Sequence, residues 1–209
     1  MNWLSDHYIE VFGALTGIIY VILEIRQSIW LWPLGLITSV IYIWVFFTSK
    51  FYADMGLQTY YVLISIYGWY WWLKGGKKYK KDSLPVTNIS MKLAAILLFV
   101  FLALFVLIWF ILVKYTDSPI PIGDAFTTAL SVVATWMLAR KIIEHWVLWI
   151  IADLVSIGLY IYKGLFPTVI LFAVYTVMAV IGFREWRKTV NMEYGITELE
   201  NQERETLNT

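Results

Sequence analysis

Apolar residues run along this chain in stretches of about twenty, separated by short polar breaks. Twenty helical residues at about 1.5 Å each match the hydrocarbon thickness of a bilayer. Seven stretches can be drawn, over residues 9–25, 28–48, 54–74, 92–114, 122–139, 143–162 and 165–184. The pattern therefore predicts an all-α integral membrane protein of seven transmembrane helices. No secretory signal is expected ahead of the first helix, because Met1 to Glu10 carries acidic residues and no basic segment. Residues 75–91 form a lysine-rich loop, and residues 189–209 a polar, acidic tail expected to be disordered.

Composition strengthens the membrane assignment. With 60% hydrophobic and 15% charged residues, and a mean hydropathy of +0.70, the chain has too little polar surface to cover a soluble globule. Its 12 Trp and 14 Tyr suit membrane interfaces and sites for organic ligands. The absence of Cys excludes disulfides and thiolate metal sites. The two histidines, His7 and His145, fall near opposite membrane faces. A membrane-embedded enzyme would need a nucleophile, a metal cluster or an acid–base pair at depth, so none is expected; no Walker-type phosphate loop occurs, so no ATPase is expected either, and no metal or cofactor is implied. Of the 16 Lys and Arg, only Lys50, Lys114 and Lys163 fall on one side of seven alternating crossings. The positive-inside rule then places the C-terminus and the 75–91 loop in the cytoplasm and the N-terminus outside. The loop lysines read as a solvated surface, and no nucleic acid partner is expected.

An internal repeat emerges when residues 9–74 are laid over 123–188 with an offset of 114. Arg26 falls on Arg140, Trp32 on Trp146, Tyr61 on Tyr175, Gly68 on Gly182 and Trp72 on Trp186. Each repeat holds three helices, and one helix (92–114) links them. Four crossings separate equivalent points, so both repeats enter from the same side. The expected fold is a SWEET-like 3+1+3 parallel repeat, with substrate near mid-membrane between the repeats.

Polar stripes at helical spacing mark the faces turned away from lipid. They are Glu10, Gly13, Gly17, Tyr20 and Glu24 on the first helix, Asp54, Gln58, Tyr61 and Ser65 on the third, and Asp124, Thr127, Thr128, Ser131 and Thr135 on the fifth. Small polar residues also pack helices closely, and that alternative stands for each Ser and Thr. For Glu10, Glu24, Asp54 and Asp124, near helix ends, interfacial solvation or a basic partner competes with substrate contact. On the sixth helix Trp146, Trp149 and Asp153 fall at i, i+3 and i+7. Two indoles and a carboxylate on one face suit a flat, cationic heteroaromatic molecule; a packing face with a structural or proton-relay Asp is the alternative. Under the repeat offset Asp153 matches Ser39, Trp149 matches Gly35 and Gln58 matches Phe172. The scaffold is thus repeated and its polar groups are not, as an asymmetric ligand requires.

Arg140-Lys141 followed by Glu144, Trp146, Trp149 and a polar residue at 153, the run Ile66-Tyr67-Gly68-Trp69-Tyr70, and Gln58 four residues after Asp54 resemble the Pnu family of bacterial vitamin transporters. The resemblance covers about residues 8–190 and includes the PnuC type for nicotinamide riboside and the thiamine-type PnuT. It implies a homotrimer in the bacterial inner membrane that lets an unphosphorylated vitamin precursor equilibrate by facilitated diffusion, with a cytoplasmic kinase trapping it. Trp146, Trp149, Asp153 and Gln58 would be the substrate contacts, with Tyr61, Asp54, Thr128 and Asp124 as further candidates from the stripes. Riboside carriers of this family usually carry Asn where this chain has Asp153, and often Asn at Ser65, so nicotinamide riboside and thiamine both stay open. A proton-coupled carrier or a non-transporting membrane scaffold are the readings from other classes.

Overall fold

The computed structural model describes the backbone of residues 8–48, 52–75 and 84–207, and the side chains of 12–48, 55–75 and 84–192. Seven α-helices follow one another: α1 Tyr8–Ile25, α2 Leu31–Thr48, α3 Tyr52–Lys74, α4 Met91–Tyr115, α5 Pro121–Ala139, α6 His145–Tyr162 and α7 Phe166–Leu207. Five are long and apolar enough to cross a bilayer, namely α2, α4, α5, α6 and the Phe166–Met192 part of α7. The described part of α1, Phe12–Ile25, is shorter. In α3 the polar Gln58 and Thr59 and a series of tyrosines dilute the apolar content.

Local chemistry sets the helix ends. Ser90 caps α4 by accepting the Leu93 amide at 3.3 Å, and Pro121 opens α5, where its missing N–H costs nothing. The ends of α1 and α5 share one termination. Gln27 and Lys141 sit at φ 51° and 52°, and the amides that follow them reach five residues back, Ser28 to Leu23 at 2.8 Å and Ile142 to Met137 at 3.0 Å. This is the Schellman pattern, normally closed by Gly because a side chain at positive φ is strained. Here both strained residues keep their side chains, and the Lys141 ammonium donates to the Gln27 amide oxygen at 3.3 Å.

Helix α2 packs on α3, α6 on α7, and α5 on α4 and α6, while α1 meets α2 and α7, and α3 meets α5. Among the described elements α4 rests on α5 alone and leaves Leu98, Phe99, Val106 and Val113 exposed, as a lipid-facing helix would. The buried centre is aromatic. Trp32 and Trp72 meet edge to face at 5.5 Å, Trp146 and Trp186 at 5.9 Å, and Trp72 approaches Trp186 at 6.4 Å. Trp32 lies against the backbone at Gly68 and Trp146 against that at Gly182, each where a Cβ would enter the indole.

Two expectations from the sequence change. The 75–91 segment is more than a solvated linker: Leu84 and Val86 are buried, and Thr87 pairs with Lys141 and Ile143 in a short parallel bridge at 3.0 Å on each side. Its lysines at 77–81 lie outside the described residues. The acidic tail, expected to be disordered, continues α7 as helix to Leu207. Its Glu, Gln, Arg and Leu residues are good helix formers, so propensity sustains the helix where apolar burial stops.

A methyl group at Gly68 or Gly182 must displace an indole from a close-packed site, which costs about 1–3 kcal/mol. Gly68→Ala and Gly182→Ala should each lower the thermal unfolding temperature in detergent. Gly158→Ala, with nothing within 4 Å of the added carbon, should not.

Candidate functional site

The helices enclose a cavity of about 520 Å³ lined from six of the seven helices, with α4 left out. That size suits a drug-sized organic molecule. Trp146, Trp149 and Asp153 line it from α6, Gln58, Tyr61 and Ser65 from α3, Gly17, Tyr20 and Glu24 from α1, and Ser131 and Thr135 from α5. The stripe at i, i+3 and i+7 on α6 thus converges with the polar face of α3.

Not every candidate joins them. Asp124, at the start of α5, accepts a hydrogen bond from the Ser118 hydroxyl at 2.6 Å and pairs with Lys163 at 3.5 Å, away from the cavity lining. This is the basic-partner alternative the sequence left open. Thr128 is likewise absent from the described lining. The side chains of Asp54 and Glu10 lie outside the described residues. Ser131 and Thr135 line the cavity but donate to carbonyls one turn back at 2.8 and 2.7 Å, the local bonding that lets a hydroxyl sit in an apolar helix.

Sequence reading missed the contribution of α2. Gly35, Thr38, Ser39 and Tyr42 line the cavity at i, i+3, i+4 and i+7, a stripe as regular as the others but hidden in an otherwise apolar helix. Tyr175 on α7 was also missed. The Tyr42 and Tyr175 hydroxyls lie over Gly13 and Gly17 of α1, so these glycines make room for two phenols at the cavity wall.

Two carboxylates face this space in different electrostatic settings. Glu24 is buried and meets His145 Nε2 at 3.0 Å, while His145 Nδ1 sits 2.7 Å from the Ile142 carbonyl. Both ring nitrogens face oxygen, so a proton lies between imidazole and carboxyl. Trp186 donates to the Glu24 carbonyl at 3.1 Å and fixes it further. Asp153 is also buried, at 5% exposure, yet makes no hydrogen bond or ion pair among the described residues. The indole N–H groups of Trp146 and Trp149, like those of Trp32 and Trp72 in the aromatic layer, are buried without an acceptor among the described residues. An unpaired carboxylate in an aromatic-walled cavity is costly when the protein is empty, and a cation or a hydrogen-bond donor placed there would offset that cost. No Lys or Arg lines the cavity among the described residues. Lys141 and Arg140 lie below the indole layer instead, 4.5 Å from the Trp72 ring and 4.2 Å from the Trp71 ring.

The chain matches the family described as nicotinamide mononucleotide transporter over residues 7–188. It is similar to the nicotinamide riboside transporter PnuC of Escherichia coli (strain K12), with 24% identity over 202 residues covering 86% of this chain and 84% of that one. The riboflavin/roseoflavin transporter RibM of Streptomyces davaonensis is 24% identical over 197 residues, covering 89% and 92%. The crystal structure of the vitamin B3 transporter PnuC shares the fold with a TM-score of 0.70 at 23% identity, over 90% of this chain and 84% of that chain.

Breaking a buried pair by removing one partner typically costs about 3–5 kcal/mol. His145→Ala should therefore destabilise the protein strongly, and Glu24→Gln in the same chain should recover part of the loss. A double-mutant cycle on unfolding in detergent measures the coupling; additive effects would leave the pair without energetic weight.

Proposed function

Because the chain belongs to the nicotinamide mononucleotide transporter family, a family of multi-pass membrane transporters and not of enzymes, we propose that it carries an unphosphorylated, flat, cationic vitamin precursor. Nicotinamide riboside is the first substrate, taken up by facilitated diffusion and trapped by a cytoplasmic kinase; thiamine is the alternative. The observation that carries this reading is the Asp153 carboxylate, unpaired among the described residues, beside the Trp149 indole in a cavity whose described lining holds no Lys or Arg. A pyridinium or thiazolium ring supplies the missing charge and stacks on the indole in one step. A neutral flavin, the kind of molecule named for the RibM relative, would leave Asp153 uncompensated.

Trp146, Trp149, Asp153, Gln58 and Tyr61 are the substrate contacts in this reading. Thr128, Asp54 and Asp124 are not included, since the first and last do not line the cavity and Asp54 is undescribed. The 3+1+3 parallel repeat belongs to the same reading. It is supported by the matched strained turns at Gln27 and Lys141 and by the matched Trp32–Gly68 and Trp146–Gly182 contacts. The cavity lining supports it as well, since Gly35 and Trp149, Ser39 and Asp153, Gln58 and Phe172, and Tyr61 and Tyr175 all face one space. The cytoplasmic placement of the basic ends rests on the charge count, and the homotrimer and the kinase on the family resemblance.

The family description names a mononucleotide, and the cavity argues for the dephosphorylated form. A phosphate would meet Asp153 with no cation to offset it in a low-dielectric site. Calorimetric titration of the purified protein should give binding of nicotinamide riboside or thiamine and none of nicotinamide mononucleotide or thiamine monophosphate. Competition by either phosphorylated form at similar concentration would overturn the assignment.

Trp149 and Asp153 should divide affinity from selectivity. Trp149→Ala should weaken both vitamins about tenfold, since stacking tolerates any cationic ring. Asp153→Asn exchanges an acceptor-only group for one that also donates, so it should shift preference toward the riboside, whose hydroxyls and carboxamide use both roles. The ratio of the two dissociation constants across the three proteins is the measurement. A ratio that Asp153→Asn leaves unchanged would return Asp153 to a structural or proton-relay role.

A further inference from the structure

A second cavity, of about 370 Å³, opens between the 84–90 segment, the start of α6 and α7, lined by Asn88, Glu144, Val147, Phe183, Arg187 and Asn191 among others. It lies at the basic end of the molecule. Arg187 stands 21 residues beyond Phe166, about 31 Å along α7, so the pocket sits at headgroup level if α7 begins at the opposite face. Its chemistry is of both signs. Arg187 is exposed and makes no hydrogen bond or ion pair among the described residues, whereas its neighbour Lys188 is held by Glu185 at 2.7 Å. Glu144 uses one oxygen, Oε2, to accept the Ile89 amide at 3.0 Å, and its Oε1 has no partner among the described residues. Asn88 and Asn191 are exposed amides at the rim. On α6, Val147, Ile151 and Leu154 follow at i, i+4 and i+7 as an exposed apolar strip, 40%, 40% and 55% exposed.

We propose that this pocket binds the headgroup of an ethanolamine phospholipid. The phosphate sits on Arg187 and the two amides, the ammonium donates to the free Glu144 oxygen, and an acyl chain follows Val147, Ile151 and Leu154. A planar guanidinium is suited to phosphate. A primary ammonium can donate to a carboxylate, and a choline headgroup, with no N–H, cannot. A phosphatidylglycerol headgroup brings no cation for Glu144 and adds net negative charge beside it. Because Glu144 also holds the Ile89 amide, the bound lipid would brace the 84–90 segment against α6 and α7.

Native mass spectrometry of the full-length protein, released from micelles doped with phosphatidylethanolamine, phosphatidylcholine or phosphatidylglycerol, tests this. The ethanolamine lipid should be retained in preference to the other two. Arg187→Gln, on an exposed position, should reduce that retention about fivefold. Glu144→Gln should erase the preference for ethanolamine over choline while phosphate attraction persists, and if this variant does not fold, the Arg187→Gln arm decides. Equal retention of all three lipids, or retention indifferent to Arg187→Gln, would overturn the proposal. Displacement of the lipid by inorganic phosphate would overturn it too and make the pocket a soluble-anion site.

Discussion

Trp32 and Trp146 reach across to α3 and α7 at the points where Gly68 and Gly182 leave no side chain, and this contact sets how closely α2 approaches α3 and α6 approaches α7. In a bilayer the hydrophobic effect adds little to helix association, so packing at small residues and buried polar contacts must hold the bundle. The indoles do both jobs. They fill the volume the glycines vacate, and with Trp72 and Trp186 they make a continuous aromatic layer. That layer closes one end of the main cavity, with Trp146 belonging to both. Beneath it the strained turns at Gln27 and Lys141 touch through their side chains. The backbone strain is offset because a residue other than Gly can reach across where Gly could not.

Much of this was legible in the chain because the bilayer enforces simple rules. Span lengths came from hydrocarbon thickness. The Trp146, Trp149 and Asp153 face came from helical spacing, and the repeat matched Gly68 with Gly182 and Trp32 with Trp146 without showing that each glycine faces an indole. What could not be read is where a polar face ends and a helix end begins. Asp124 shares a stripe with Ser131 and Thr135, but it stands at the first turn of α5, where Ser118 and Lys163 take it. Glu24 shares a stripe with Gly17 and Tyr20, and its partner His145 lies 121 residues away; no local pattern announces that pairing. The α2 stripe went unseen because Gly, Thr, Ser and Tyr are mild signals in an apolar run. The docking of Leu84, Val86 and Thr87 went unseen because a loop with four lysines reads as solvated.

The two cavity carboxylates show how one space can hold acids with different duties. Glu24 is held by His145 and joins α1 to α6, so its carboxylate already has a partner within the protein. Asp153 has no such partner among the described residues, and it is the one carboxylate of the described lining without a protein hydrogen bond or ion pair. Fully dry, an isolated carboxylate would cost many kcal/mol. It is tolerable here because the cavity is roomy enough to hold water, which can solvate the carboxylate until a ligand replaces it.

That exchange of water for a cation bears on transport. A carboxylate sealed away from water would gain so much from a cationic ring that release would become slow, and under the facilitated diffusion proposed above the carrier would have to load and empty the same site. Asp153 faces a cavity of about 520 Å³, large enough for water, so in the proposed reading a cation would replace solvent and the net gain would be the difference between two large solvation terms. In that reading the site would select for charge and shape while keeping occupied and empty states close in free energy, as the proposed equilibration across a membrane requires.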